Sequence, residues 1–513
     1  MSDLLAAIAK ACATGGDAPA LTGPSGRTLS YAELARRVGA TARSLSKAGM
    51  RPGDRVLFSV RPSPAGVVLA LGIVAAGGTV VFADPGAGPE LFAARLALAT
   101  PRWAAAESLL YAAAGPLIRG AARRRGVLLP NYAGLPVRHI YAGTWLPGVP
   151  RGALAARRLA RGGGSLPAAE APDQEALVVF TSGTTQAPRA VVHTRGSLGA
   201  ALSVLAAACT LGPGDVVHTD QLMVGMPALV AGAHWTMPPF GFSPASDPDR
   251  YATGLAGATH TFATPADLAA VVSLVHSGQL APPAGLRQLL TGGAPVTPAL
   301  LRRASDALPR TEIRAIYGMT EILPVAVVGA GEKLAYAGAG DLVGRPLPGV
   351  SARLGPDAEL LLRGEHLCHG YLGQPPLTEH ATGDLARLDA EGSIVLIGRK
   401  KDMLIRGRTN IYPGLYEPVI ARLPGVEAAF LLGIPDEVGD ERVVLVLVPT
   451  DGTGAQRVLA DHPLARSVRE QLPTLIDASA LPDEVLVVSR LPVTGRTGKP
   501  ERGALLDLVR GAR

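Results

Sequence analysis

Apolar residues along this chain fall into two alternating textures: longer runs at helical spacing and short runs rich in Val and Ile. Residues 65–76 read as a helix and 79–83 as a strand, with Gly77-Gly78 between them. The stretch 65–83 is uncharged and nominally long enough to span a bilayer. The glycine pair and the strand-like Thr79-Val80-Val81-Phe82-Ala83 instead predict a core helix followed by a core strand. The uncharged stretch 221–246 is read the same way, because Pro227, Pro238 and Pro239 break it up. Further on, 428–433 and 442–449 read as strands separated by a turn. This alternation predicts an α/β architecture with substantial sheet, and no repeat at solenoid spacing interrupts it.

Composition narrows the class. With 513 residues, 48% hydrophobic and 18% charged, the chain has ample core for two to four structural units. Aromatics make up only 4%, so that core must be mainly Ala, Val and Leu. Cys12, Cys209 and Cys368 are far apart and odd in number. They suggest neither a disulfide framework nor a Cys-x-x-Cys metal site, as expected in a reducing cytoplasm. The formal charge of +7 comes with no nucleic-acid recognition motif and no aromatic-interleaved basic stripe. Small anionic substrates explain a mildly basic surface as well. The first ten residues carry Asp3 and lack a basic leader, so no signal peptide is expected. Between 118 and 171 the texture changes: Arg119, Arg123, Arg124, Arg125, Arg138, Arg151, Arg157, Arg158 and Arg161 precede Gly162-Gly163-Gly164. Such a segment is a solvated basic face with a flexible loop, or a surface that meets a membrane or an acidic partner.

The strongest chemical signal follows an apolar run. After Val178-Val179-Phe180 come Thr181, Ser182, Gly183, Thr184 and Thr185, then Gln186-Ala187-Pro188-Arg189. Hydroxyl donors and exposed backbone N–H groups suit an anion, glycine admits close approach, and arginine adds charge. A Thr/Ser-rich surface turn has the same composition. No G-x-x-x-x-G-K-[ST] is present, so this is not a P-loop.

Other motifs stand in order along the chain: Leu29-Ser30-Tyr31-Ala32-Glu33-Leu34, Pro52-Gly53-Asp54-Arg55-Val56, Gly292-Gly293-Ala294-Pro295 and Tyr317-Gly318-Met319-Thr320-Glu321. Thr382-Gly383-Asp384-Leu385, Gly398-Arg399-Lys400-Lys401-Asp402 and Leu491-Pro492-Val493-Thr494-Gly495-Arg496-Thr497-Gly498-Lys499 complete the set. Together with Thr181–Arg189 they resemble the adenylate-forming superfamily of acyl-CoA synthetases, luciferases and peptide-synthetase adenylation domains. The resemblance spans nearly the whole chain. It implies a large N-terminal multi-sheet α/β domain (1–398), a hinge (399–402) pivoting at Lys401, and a small mobile C-terminal α/β lid domain (403–513) carrying a catalytic lysine. It also implies ATP-dependent activation of a small carboxylic acid to an acyl-adenylate, with Mg²⁺, and CoA as a further substrate in many members.

Carried onto this sequence, the resemblance implies a role for each matched position. The loop with Thr181, Ser182, Gly183, Thr184, Thr185 and Arg189 would hold the β- and γ-phosphates. Gly292, Gly293, Ala294 and Pro295 would lie against adenine, with Tyr317 offering a ring face beside Gly318 and Met319. Thr320 would contact a phosphate, and Glu321 would help ligate Mg²⁺, a hard cation that prefers oxygen. Asp384 would accept both ribose hydroxyls, with Arg399 beside it. Lys499 would bridge the acid and the α-phosphate as a mobile point charge. Gln186 and Arg189 depart from the usual glycine and lysine, and Val230 stands near a common histidine; His234, close by, is out of register and takes no role.

Several shorter segments resemble the β-lactone synthetases of bacterial olefin and β-lactone biosynthesis. These are Asp84-Pro85-Gly86-Ala87-Gly88, the run from Tyr317 to Val325, and Tyr412-Pro413 followed by Glu417. That likeness implies a β-hydroxy acid whose hydroxyl closes on the adenylate intramolecularly, where proximity replaces a second substrate. Thioester formation with CoA and transfer to an amine or carrier protein are the other outcomes, and a catalytically silent nucleotide-binding member is the remote one.

Overall fold

The computed structural model describes residues 3–83, 89–113, 130–166, 170–181, 189–239, 247–406, 409–435, 441–450, 458–459, 461–494 and 499–511. The chain is mixed α/β and packs as two compact units. One comprises Met1–Phe242, Thr320–Leu323 and Gly364–Thr378; the other comprises Ser243–Met319, Pro324–Arg363 and Glu379–Arg513. The expected hinge lies within the second unit, where Lys400–Asp402 forms a single 3₁₀ turn.

In the first unit, eight strands form one sheet in the order Gly370–Tyr371, Arg189–Thr194, Glu175–Thr181, Thr79–Phe82, Arg55–Ser59, Trp103–Glu107, Arg138–Ala142 and Leu154–Ala155. Its middle is parallel and buried, which is why those strands read as continuous apolar runs. Helix Pro64–Ala75 is uncharged because it is covered on most sides, with Val67, Val68, Leu69, Leu71, Ile73 and Val74 all buried. The reading of 65–83 as core helix and core strand therefore holds, and no described helix is long and apolar enough to cross a membrane. A second group of strands, Val216–His218, His234–Thr236, Pro19–Thr22 and Thr28–Ser30, packs around Trp235.

In the second unit, parallel strands His260–Ala263, Gln288–Gly292 and Glu312–Met319 lead into the turn at Thr320-Glu321. An antiparallel sheet follows, in the order Asp341–Gly344, Ile394–Arg399, His380–Leu388, Glu359–Gly364 and Val350–Leu354. The C-terminal portion is a smaller α/β sandwich on strands Val426–Pro435, Glu441–Pro449, Glu484–Val488 and Val458–Leu459. Both faces of its central strand are covered. Val443, Leu445 and Leu447 pack with Val468 and Leu472 of helix Pro463–Leu475, while Val444, Val446 and Val448 pack with Leu505 and Val509 of helix Arg502–Gly511.

Candidate active site

Strands Glu175–Thr181 and Arg189–Thr194 are antiparallel neighbours, and their register places Thr181 opposite Arg189. These two residues thus mark the strand ends that flank the expected phosphate loop. Ser182, Gly183, Thr184, Thr185 and Gln186 lie outside the described residues.

Three contacts within the same unit hold the Thr320-Glu321 turn. The Cys368 N–H donates to the Glu321 carbonyl at 2.8 Å. The Tyr371 hydroxyl donates to Glu321 Oε1 at 2.9 Å. His193 Nε2 reaches the Thr320 carbonyl at 2.7 Å, and because a carbonyl only accepts, Nε2 carries the proton. Burial pushes His193 below the usual histidine range, outweighing the carbonyl and the Glu321 charge, so the ring is a fixed neutral donor. Burial, and then the Glu321 carboxylate, push the Tyr371 phenol up to about 12. The Cys368 thiol is likewise pushed up to about 12, which leaves it protonated and inert. Arg189 completes the group, its guanidinium 5.6 Å from the centroid of the Tyr371 ring.

The second unit assembles a different constellation by itself. Asp384 lies on His380–Leu388 directly opposite Arg399 on Ile394–Arg399. Arg399 Nε donates to Asp384 Oδ1 at 2.8 Å, and the Tyr317 hydroxyl donates to Oδ2 at 2.6 Å. The carboxylate is only 4% exposed, yet each oxygen keeps a second acceptor direction, enough for two ribose hydroxyls. Gly383, with φ of 72°, bends the backbone just before it, and its N–H is taken by Glu359 Oε1 at 2.9 Å. Tyr317 has its hydroxyl committed to Asp384, so its ring face is what it offers a base. Burial and then the Asp384 charge hold that phenol well above its ordinary range.

Beside Tyr317, Gly292 pairs with Ile316, and the turn Gly292-Gly293-Ala294-Pro295 begins there. A Cβ on Gly292 would lie 2.6 Å from the Ile316 side chain and 2.7 Å from its carbonyl oxygen, so the close approach requires glycine. Lys499 pairs with Thr494 at the base of the loop 495–498, which lies outside the described residues. Desolvation, and next the Arg399 cation, lower its pKa, while Asp384 opposes them.

The family profile described as AMP-binding enzyme matches residues 8–372, and that described as AMP-binding enzyme C-terminal domain matches 416–499. The chain belongs to the AMP-binding enzyme family. It is an AMP-forming ligase, related along nearly its whole length to curated CoA synthases and ligases. It is 30% identical to a feruloyl-CoA synthase of Amycolatopsis sp. over 93% of each chain. It is 29% identical to a sulfoacetate–CoA ligase of Cupriavidus necator, over 98% of this chain and 97% of that one. The fold is shared with the amide bond synthetase McbA of Marinactinospora thermotolerans, at a TM-score of 0.77 and 23% identity, covering 98% and 99% of the two chains.

Within this family frame, sequence reading missed His193, Tyr371, Cys368 and Glu359, the residues that hold the motif residues in place. Only a Gly-Tyr dipeptide and a lone histidine mark the first two, which is too little signal to stand out. His234 and Arg138 are engaged within the fold. His234 Nε2 hydrogen-bonds Thr22 Oγ1 at 2.7 Å within its sheet. In the arginine-rich region Arg138 stacks 4.4 Å from the Trp103 ring, and Arg151, Arg157, Arg158 and Arg161 are exposed. Arg119, Arg123, Arg124 and Arg125 fall outside the described residues. Lys401 is exposed, between Lys400, which pairs with Asp357 at 2.9 Å, and Asp402.

Arg189 stands where the hairpin presents a cation, and it gives a direct test. Arg189→Ala is expected to raise the KM for ATP by about tenfold or more, the scale of one lost charge-assisted hydrogen bond. Arg189→Lys should keep most of the affinity. A KM for ATP in Arg189→Ala equal to that of the wild type would make the arginine a plain surface charge.

Proposed function

We propose that the protein activates a small carboxylic acid with ATP and transfers the acyl group to CoA. The observation that carries this reading is the Asp384 constellation: a buried carboxylate aimed by Tyr317 and Arg399. Asp384 would accept the ribose hydroxyls, the Gly292–Pro295 turn and the Tyr317 ring would receive adenine, and the segment between Thr181 and Arg189 would hold the phosphates. A carboxylate oxygen of the acid attacks the α-phosphorus and pyrophosphate leaves. Lys499 would neutralise charge as these anionic groups converge, and positioning supplies much of the remaining rate. The CoA thiolate then attacks the acyl carbonyl, and AMP leaves.

Mg²⁺ when bound would offset the phosphate charge. Glu321 suits it: Oε1 is held by Tyr371, no hydrogen bond reaches Oε2 among the described residues, and one carboxylate plus substrate phosphates is the usual Mg²⁺ set. The described residues contain no preformed cluster of three or more His, Cys, Asp or Glu.

Support for CoA as acceptor comes from the relatives, whose names are CoA synthases and ligases across 93% or more of this chain. The second reading, lactone closure of a β-hydroxy acid, rests on the likeness of residues 317–325 and of Tyr412-Pro413 with Glu417. Glu417 has a structural engagement that weakens this: Arg502 donates to both its oxygens at 2.6 Å. The segment 84–88 lies outside the described residues.

One experiment separates the readings. Aromatic, aliphatic and β-hydroxy acids are incubated with ATP and Mg²⁺, with and without CoA, and the products are weighed by mass spectrometry. The expected result is AMP with an acyl-CoA when CoA is present, and enzyme-bound adenylate without it. A CoA-independent product lighter than the acid by one water, lost when the β-hydroxyl is removed, would replace thioester formation with lactone closure. An amine included as acceptor tests amide formation in the same assay.

A further inference from the structure

The chain leaves the second unit at Gly364 and returns at Glu379, and this short excursion belongs to the first unit. Its two-residue strand Gly370–Tyr371 lies at the edge of the sheet, antiparallel to the strand that carries Arg189, with Tyr371 opposite Val191. The backbone is pinned on both sides: the His369 N–H donates to the Val192 carbonyl and the Leu372 N–H to the Ala190 carbonyl, both at 2.8 Å. Tyr371 therefore has little freedom of its own. Its hydroxyl meets Glu321 Oε1 at 2.9 Å and its ring face meets the Arg189 guanidinium 5.6 Å from the centroid. One side chain thus hydrogen-bonds the Glu321 carboxylate and lies beneath the Arg189 cation.

We propose that Tyr371 is the positioning residue for Glu321 and Arg189 in the acid-activation step; this rests on the reading of Glu321 as the Mg²⁺ ligand. An isolated glutamate carboxylate samples several rotamers. With Oε1 held by the phenol and its own carbonyl held by the Cys368 N–H at 2.8 Å, Glu321 presents Oε2 in one direction. The partner that aims a ligating carboxylate commonly governs metal affinity by about 10–100-fold. The ring does a separate job, since a cation over an aromatic face keeps its orientation while its N–H groups stay available.

The two jobs are separable by substitution. Tyr371→Phe keeps the ring and removes the donor. The Mg²⁺ concentration that half-saturates acid-dependent ATP–pyrophosphate exchange should rise about tenfold, with kcat restored at saturating Mg²⁺. In calorimetric titrations without acid, the gain in ATP affinity on adding Mg²⁺ should shrink, while affinity for ATP alone stays at the wild-type value. Tyr371→Leu should also weaken ATP in the absence of Mg²⁺, because the ring under Arg189 is gone. Glu321→Gln, assayed in parallel, separates the possible failures. If Glu321→Gln raises the Mg²⁺ requirement and Tyr371→Phe does not, the positioning role is overturned and the metal assignment stands. If neither variant changes it, the assignment of Glu321 fails and the proposal falls with it.

Discussion

Replacing Lys499 with alanine is expected to lower acid-dependent AMP formation by at least about a hundredfold, the scale for losing a donor aimed at developing charge. ATP affinity should change little, because Asp384, Tyr317 and Arg399 keep their mutual hydrogen bonds without the lysine. The effect should therefore appear in kcat rather than in the KM for ATP, as for an interaction made mainly in the transition state. A pH signature goes with it. Desolvation and the Arg399 cation lower the pKa of Lys499. The ammonium thus loses its proton at a lower pH than an ordinary lysine, whose pKa is about 10.4. The alkaline limb of kcat should fall below that value in the wild type and disappear in Lys499→Arg, which stays charged throughout. Turnover in Lys499→Ala close to that of the wild type would remove the lysine from the mechanism.

The second large effect is on stability. Asp3 and Arg195 form an ion pair of 2.7 Å with side chains only 1% and 5% exposed. Asp3 also caps the first helix, accepting from the Leu5 and Ala6 N–H groups at 2.9 and 3.0 Å, and Oδ2 accepts from Ala171 at 3.2 Å. Arg195 opens helix Arg195–Ala208, so this one pair joins the first helix to the helix that follows strand Arg189–Thr194. Arg195→Met leaves a buried carboxylate without its cation and is expected to cost about 3–5 kcal/mol. Thermal or denaturant unfolding of the variant reads this as a markedly lowered midpoint.

The pH dependence has a definite sign. Burial alone would raise the Asp3 pKa, but the Arg195 hydrogen bond and the backbone donors outweigh it and the net shift is downward. The contribution is therefore complete above the unfolded carboxylate pKa of about 3.9 and is lost as pH falls through the lower folded value. The gap between wild type and variant should narrow in acid below about pH 4. An unchanged midpoint in Arg195→Met would show that the pair contributes nothing.

Much of the architecture was legible in the sequence because its signals are local. A buried helix and a buried strand leave different periods of apolar residues, and so 65–83, 428–433 and 442–449 could be read without neighbours. The chemistry of each motif is local too. Hydroxyls, glycines and a cation after an apolar run describe an anion grip wherever they occur, and the order of the motifs along the chain carried the family.

What supports each motif residue was decided only by tertiary structure. Tyr371 reaches Glu321 across 50 residues, Tyr317 reaches Asp384 across 67, and His193 reaches Thr320 across 127. Each contact requires atoms to meet within about 3.2 Å, and that depends on strand register. A slip of one residue turns every side chain of a strand to the other face without changing the composition. Arg399 faces Asp384 for this reason, and Thr181 faces Arg189. The run Val443–Val448 shows the same division of labour. Its unbroken hydrophobicity marks a strand buried on both faces, but only the packed chain assigns its odd-numbered residues to the helix with Val468 and Leu472 and its even-numbered ones to the helix with Leu505 and Val509.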